Sequence, residues 1–146
     1  MVGTVANIEE KELEIIEEFS LFEDWMDKYE HIISLGKELP LIEESLKTDD
    51  LLIKGCQSKV WLHAKLEKGK VIFTADSDAI ITKGIISLLI RVLSNQTPTD
   101  IINTDLTFIE NIGLKEHLSP TRSNGLVSMV KQMKLYALAF RTQQNA

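Results

Sequence analysis

One side chain dominates the chemistry open to this chain. Cys56 is its single cysteine, and it sits in the run Lys54-Gly55-Cys56-Gln57-Ser58-Lys59. A glycine before it and two polar residues after it describe a flexible, hydrated turn, not the apolar setting of a cysteine that serves as a core hydrophobe. With no second cysteine in the chain, neither an internal disulfide nor a cysteine-rich metal site can form. Redox sensing, nucleophilic attack and acceptance of a transferable atom remain, and all three need an accessible thiolate. Lys54 and Lys59 would favour that thiolate if their ammonium groups approached it. Inert burial is the competing role for a lone cysteine, and the polar turn argues against it.

Other constellations carry less. The glycines never approach the spacing of a phosphate-binding loop. The three histidines, His31, His63 and His117, are scattered without metal-ligand spacing. Cys56 paired with one of them would make a hydrolase dyad, and the sequence does not say which one. Asp76 and Asp78 flank Ser77 at a strand-to-helix boundary and read as turn and cap residues rather than an acid/base pair.

The chain has 146 residues, enough for one domain with a true core and too few to expect two. A single domain is therefore expected over residues 1–146, with its core at about 8–140 and flexible ends. Hydrophobic residues make up 44% and the net charge is −6, with carboxylates crowded into the first thirty residues. No basic stripe stands out, so no nucleic-acid partner is expected. The N-terminus lacks a basic start followed by an apolar segment, so no signal peptide is expected. The densest apolar stretch, residues 80–93, is interrupted by Thr82, Lys83, Ser87 and Arg91. It falls short of the roughly 20 residues that cross a bilayer, so no membrane association is expected. An unpaired cysteine suits a reducing compartment, and the expected location is the cytoplasm.

The elements that must position Cys56 follow from periodicity. Ile8, Leu13, Ile15, Ile16 and Phe19 have helical spacing among acids. Ser20, with Glu23 three residues on, predicts the cap of a second helix that runs to about Leu35 and stops at Gly36. Residues 37–50 hold Pro40 and read as a connector, and 51–53 as a short strand entering the cysteine turn. Val60, Leu62, Ala64 and Leu66 alternate with Trp61, His63 and Lys65, the period of a half-buried strand. Lys68-Gly69-Lys70 predicts a turn into an antiparallel return strand over 71–75.

After Asp76 the pattern is helical. Ser77 or Asp78 can cap a helix over 79–93 that is apolar nearly all round and is therefore expected at the centre of the fold. Thr97-Pro98-Thr99-Asp100 starts a helical piece ended by Gly113. Ser119-Pro120 starts a long helix to about Phe140, and 143–146 read as a frayed tail. The expected fold class is α+β, a small antiparallel sheet of two or three strands packed with several helices.

Gly55-Cys56-Gln57-Ser58-Lys59-Val60-Trp61-Leu62 resembles the signature of the SufE family, the cysteine desulfuration partners of iron–sulfur cluster assembly. The resemblance continues in register. Ala75-Asp76-Ser77-Asp78-Ala79-Ile80 with Lys83-Gly84 is similar to that family's strand-to-helix segment, and Gln96-Thr97-Pro98-Thr99-Asp100-Ile101 to its next helix start. His117-Leu118-Ser119-Pro120 and Arg122-Ser123-Asn124-Gly125-Leu126 are similar to its C-terminal block, and Tyr29-Glu30-His31-Ile32-Ile33 to its N-terminal helix. These five blocks run in order from about residue 17 to 133. The ends of the chain lie outside them.

The resemblance implies a fold shared with the IscU-type scaffold proteins. It implies a sulfur-acceptor protein that takes persulfide sulfur from a cysteine desulfurase onto Cys56, stimulates that enzyme, and passes the sulfur to an iron–sulfur scaffold complex. No cofactor of its own is implied, since the pyridoxal phosphate belongs to the desulfurase; the protein would be a monomer or weak homodimer and an accessory to transfer rather than a free-standing enzyme. Supporting roles are implied around it. Gly55 frees the turn of side-chain obstruction. Gln57 and Ser58 either hydrogen-bond the turn or the sulfur, or merely solvate a loop. Arg122 either meets an acidic partner or the persulfide, or is a solvated helix residue. His117 reads as structural, between Leu114 and Leu118. Trp61 is either a second core contact or a docking surface. Two alternatives stand beside this reading: a cysteine hydrolase using Cys56 and a histidine, and an iron–sulfur or zinc scaffold, for which one thiolate is few.

Overall fold

The computed structural model describes residues 7–144. Helix α1 (Ile8–Ser20) starts where the Asn7 side chain accepts the Glu10 N–H at 2.8 Å, which satisfies one of the free amides of the first turn. It buries Ile8, Ile15 and Phe19. The expected cap at Ser20 is displaced. Ser20 closes α1, its hydroxyl donating to the Glu17 carbonyl, and Asp24 caps α2 (Trp25–Gly36) by accepting the Asp27 N–H at 2.9 Å. Continuing α1 through Phe19 keeps that ring fully buried, and the next side chain able to cap then lies four residues further on.

Strands β1 (Val60–Glu67) and β2 (Lys70–Ser77) pair antiparallel, with Val60 opposite Ser77 and Glu67 opposite Lys70. Lys68 (φ 52°) and Gly69 (φ 81°) make the two-residue turn, whose paired positive φ values match the twist of a hairpin. Val60, Leu62, Val71, Phe73 and Ala75 point into the core. The strand expected over 51–53 does not form. Thr48 leads into a single 3-10 turn, Asp49–Leu51, and only Leu52 bridges to Trp61. The sheet among the described residues therefore has two strands.

Helix α3 (Ile80–Leu93) crosses the sheet and buries ten of its fourteen residues. Its N-cap residue is Ala79, so neither Ser77 nor Asp78 caps it; Ser77 Oγ accepts the Ala79 N–H at 3.2 Å and shapes the turn before the helix. Helices α2 and α3 meet at glycines. A Cβ on Gly36 would lie 3.1 Å from the Gly84 backbone nitrogen, and one on Gly84 would intrude on the Ile32 carbonyl. Gly36 is thus the last helical residue, placed for close approach, and not the left-handed stop expected there.

The single helical piece expected between Thr97 and Gly113 is broken into α4 (Pro98–Asn103) and α5 (Phe108–Asn111), with Leu106 at φ 51° between them. Two distant side chains satisfy the break. Lys134 Nζ donates to the carbonyls of Ile102 and Thr104, and the buried Glu12 carboxylate accepts the Phe108 N–H at 3.0 Å. Helix α6 (Pro120–Gln144) closes the fold against α4 and α3. It runs past the expected end at Phe140 and takes in residues 143 and 144; the rest of the expected tail lies outside the described residues. The α+β class holds, and no helix among the described residues is long and apolar enough to cross a membrane.

Candidate functional site: the Cys56 loop and its cleft

The cysteine turn is tied at both ends to rigid elements. Ile53 N–H donates to the Val60 carbonyl at 2.8 Å, closing the loop at its base. On the other arm, Lys59 N–H donates to Asp78 Oδ1 at 3.0 Å while the Asp78 N–H returns a bond to the Lys59 carbonyl at 3.2 Å. Asp78 therefore clamps the loop across the sheet end instead of capping α3. Its neighbour Asp76 does something else. It lies between Lys47 and Lys83 and accepts the Ser77 N–H. Burial pushes the Asp76 carboxyl up, but the bonds from Lys47, the Ser77 amide and Lys83 outweigh it and hold its pKa below the ordinary value.

Between the ties, the chain is pressed onto α6. Gly55 has φ 92°, a conformation open to glycine, and a Cβ there would strike the Ser128 side chain. Cys56 follows, half-buried, with Sγ 3.6 Å from the Gly125 carbonyl. A Cβ on Gly125 would sit 3.5 Å from that sulfur, so α6 presents bare backbone to the thiol. Burial raises the Cys56 pKa above its ordinary value. The condition under which Lys54 and Lys59 would favour the thiolate is not met, since burial and no lysine sets the direction of the shift. Both Lys54 and Lys59 are exposed.

The sulfur faces a cleft of about 530 Å³. One wall is the loop itself, Cys56, Gln57 and Ser58; the second is the start of α3, with Ile80, Thr82 and Ile85; the third is the start of α6, with Ser119, Arg122, Gly125 and Met129. Ile80 is 66% exposed at the rim, an apolar side chain of the kind an interface covers. Arg122 is exposed, its backbone N–H bound to Ser119 Oγ at 3.3 Å. The structure thus brings Gly55, Cys56, Gln57, Ser58 and Arg122 to one place.

His117 is not among them. Its ring stacks on Trp25 at 4.0 Å and 11°, and Nδ1 meets the Gly113 carbonyl at 2.9 Å. His31 is paired with Glu18 between the rings of Phe19 and Phe22, and His63 lies on β1 opposite Thr74. No histidine lines the cleft, so the Cys56–histidine dyad has no partner in this arrangement. Among the described residues no three His, Cys, Asp or Glu side chains converge as a metal site. Trp61 is half-buried, with Lys47 Nζ 5.4 Å from its ring centroid.

Sequence alone did not single out Gly125, Ser128, Met129 or the clamp by Asp78. A glycine inside a helix costs about 1 kcal/mol relative to alanine, and that misfit at Gly125 was the available signal.

The comparisons with known proteins agree with this geometry. A family model described as SufE, the Fe-S metabolism associated domain, matches residues 13–137. A SufE-like protein of Synechocystis sp. is 40% identical over 132 residues, covering 90% of this chain and 82% of that protein. Another from Rhizobium meliloti is 37% identical over 126 residues, covering 83% and 90%. The solution structure of a hypothetical protein from Thermus thermophilus has the same fold, with a TM-score of 0.75, 20% identity, and coverage of 90% of this chain and 96% of that one. Sequence motif, fold and relatives converge on one assignment: the chain belongs to the SufE family, with a role in iron–sulfur metabolism.

Proposed function

We propose that Cys56 accepts sulfur from the persulfide of a cysteine desulfurase, that docking stimulates the desulfurase, and that the sulfur then passes to an iron–sulfur scaffold complex. The observation that carries this reading is the setting of the thiol. Cys56 stands half-buried on a loop tied at both ends, facing a cleft that no histidine lines. A thiol on a loop anchored at its two ends can be presented to another protein's sulfur once the loop lifts from α6.

The step balances without a resident cofactor; the pyridoxal phosphate remains with the donor. Cys56 gives up its proton to a base at the docked interface or to water. The resulting thiolate attacks the outer sulfur of the donor persulfide, a new S–S bond forms, and the donor cysteine leaves as a thiolate. Delivery reverses the roles. Raised pKa and burial favour the protonated thiol at rest, which guards it from oxidation. The loop then has to leave Gly125 and turn outward when the desulfurase docks, carrying Cys56 into the donor site.

Intact mass spectrometry after mixing the protein with a cysteine desulfurase and cysteine tests the reading. The expected product is a gain of one sulfur, about 32 mass units, on wild type and none on Cys56→Ser. An unmodified wild-type protein beside an active cognate desulfurase defeats it.

A further inference from the structure

The cysteine loop has a second flank. Opposite the cleft lies a groove of about 390 Å³ between the loop and α6, with Lys54, Lys131 and Leu135 among its walls. We infer that this groove docks an acidic, apolar-bearing segment of the protein that delivers sulfur to Cys56. The inference rests on the sulfur-acceptor reading above and adds to it the surface and the chemistry of the contact.

Charge is the first argument. The chain carries a net −6, yet the 25 residues of α6 hold Arg122, Lys131, Lys134 and Arg141 and not one Asp or Glu. Some cations elsewhere are matched. Lys47 and Lys83 pair with Asp76, and Arg91 pairs with Glu18. Lys134 is turned to the carbonyls of Ile102 and Thr104. Lys54 and Lys131 are both exposed, and neither side-chain ammonium has an ion pair or hydrogen bond among the described residues. Asp50 is the one acid on the groove wall, and it forms no ion pair with either lysine. Two unmatched cations flanking a groove call for carboxylates from outside.

Apolar exposure is the second. Leu135 is 46% exposed in the groove and Leu138 is 43% exposed one turn on. A basic rim around exposed leucines has the composition of an interface. Position is the third. Ser128 lines the groove and is also the side chain that touches Gly55. A segment seated there bears directly on the hinge of the cysteine loop, so docking and release of the thiol are mechanically joined.

The test titrates acceptor against a fixed amount of cognate cysteine desulfurase and cysteine, reading the added sulfur on Cys56 by intact mass. Lys131→Glu and Leu135→Ser, both changes on α6, are compared with wild type. Each variant should raise the half-saturating acceptor concentration by about tenfold. Raising salt from about 0.05 to about 0.5 M should weaken wild type markedly and Lys131→Glu much less. Glutathione persulfide, which needs no docking, should load all three proteins equally and show that fold and thiol are intact. Half-saturation unchanged in both variants overturns the groove while leaving the acceptor reading standing. Wild type loaded by glutathione persulfide but not by the desulfurase overturns the acceptor reading, and the groove with it.

Discussion

The Cys56 thiol reaches the Gly125 carbonyl 3.6 Å away, across 69 residues of sequence. A carbonyl oxygen only accepts, so this contact holds S–H and repels S⁻. The proton on the sulfur is thus part of what keeps the loop closed. Loss of that proton, or its replacement by an anionic persulfide, removes the contact.

Titration should expose this directly. Burial raises the Cys56 pKa in the folded state above its ordinary 9.0. A raised acid pKa means that the closed loop is fully favoured below the unfolded value and loses that contribution as pH climbs through the folded one. Alkylation of native Cys56 by iodoacetamide should therefore titrate with a midpoint above 9.0, returning to the ordinary value in the urea-unfolded chain. A native midpoint at or below the unfolded one would show that a cation, not burial, governs the thiol.

Gly55 and Gly125 should respond in opposite ways. Gly55→Ala forces a side chain to φ 92° and into Ser128, at a cost of about 1–2 kcal/mol. The loop escapes that strain by lifting from α6, so alkylation of Cys56 should speed up. Gly125→Ala places a methyl in ordinary contact with the sulfur at 3.5 Å and gains up to about 1 kcal/mol of helix propensity. It should leave the melting temperature equal or higher while slowing alkylation. Thermal melts and alkylation rates on the two variants check both; equal rates for the pair would refute the packing of the loop on α6.

Gly84→Ala should be among the more damaging single methyl additions. Its Cβ would intrude on the backbone carbonyl of Ile32 at the α2–α3 contact, and neither helix can yield locally. Overpacking of this kind costs about 1–3 kcal/mol. Urea denaturation should show the midpoint falling with the slope unchanged. A shift below about 0.5 kcal/mol would mean that the helices separate freely there.

Acid should weaken the support beneath the cysteine loop. Asp76 is half-buried, which raises its pKa, but bonds from Lys47, the Ser77 amide and Lys83 bring the net value below the ordinary 3.8. A depressed carboxyl contributes stability above the unfolded pKa and loses it as pH falls through the folded one. The urea midpoint of wild type should therefore drop steeply below pH 3.8, and the Asp76→Asn variant should lose that part of the slope. Parallel curves for the two proteins would remove Asp76 from the account.

Much of this molecule was legible along the chain because the relevant forces act over a few residues. Lys68-Gly69 closes a hairpin because adjacent positive φ values suit its twist. Thr97 accepts the Asp100 N–H, and Ser119 the Arg122 N–H, three residues on. The near-continuous apolar surface of α3 could only be central. The polar turn around Cys56 marked the candidate site for the same local reason. What meets that turn was decided by packing alone. Gly125 and Ser128 reach it from α6, Asp78 holds it from beyond the hairpin, and His117 is drawn off to Trp25. Ser20 and Gly36 likewise took other roles because Phe19 had to be buried and Gly84 had to be approached. Contacts between residues tens of positions apart follow from how whole faces fill space together, and no short window of sequence contains that information.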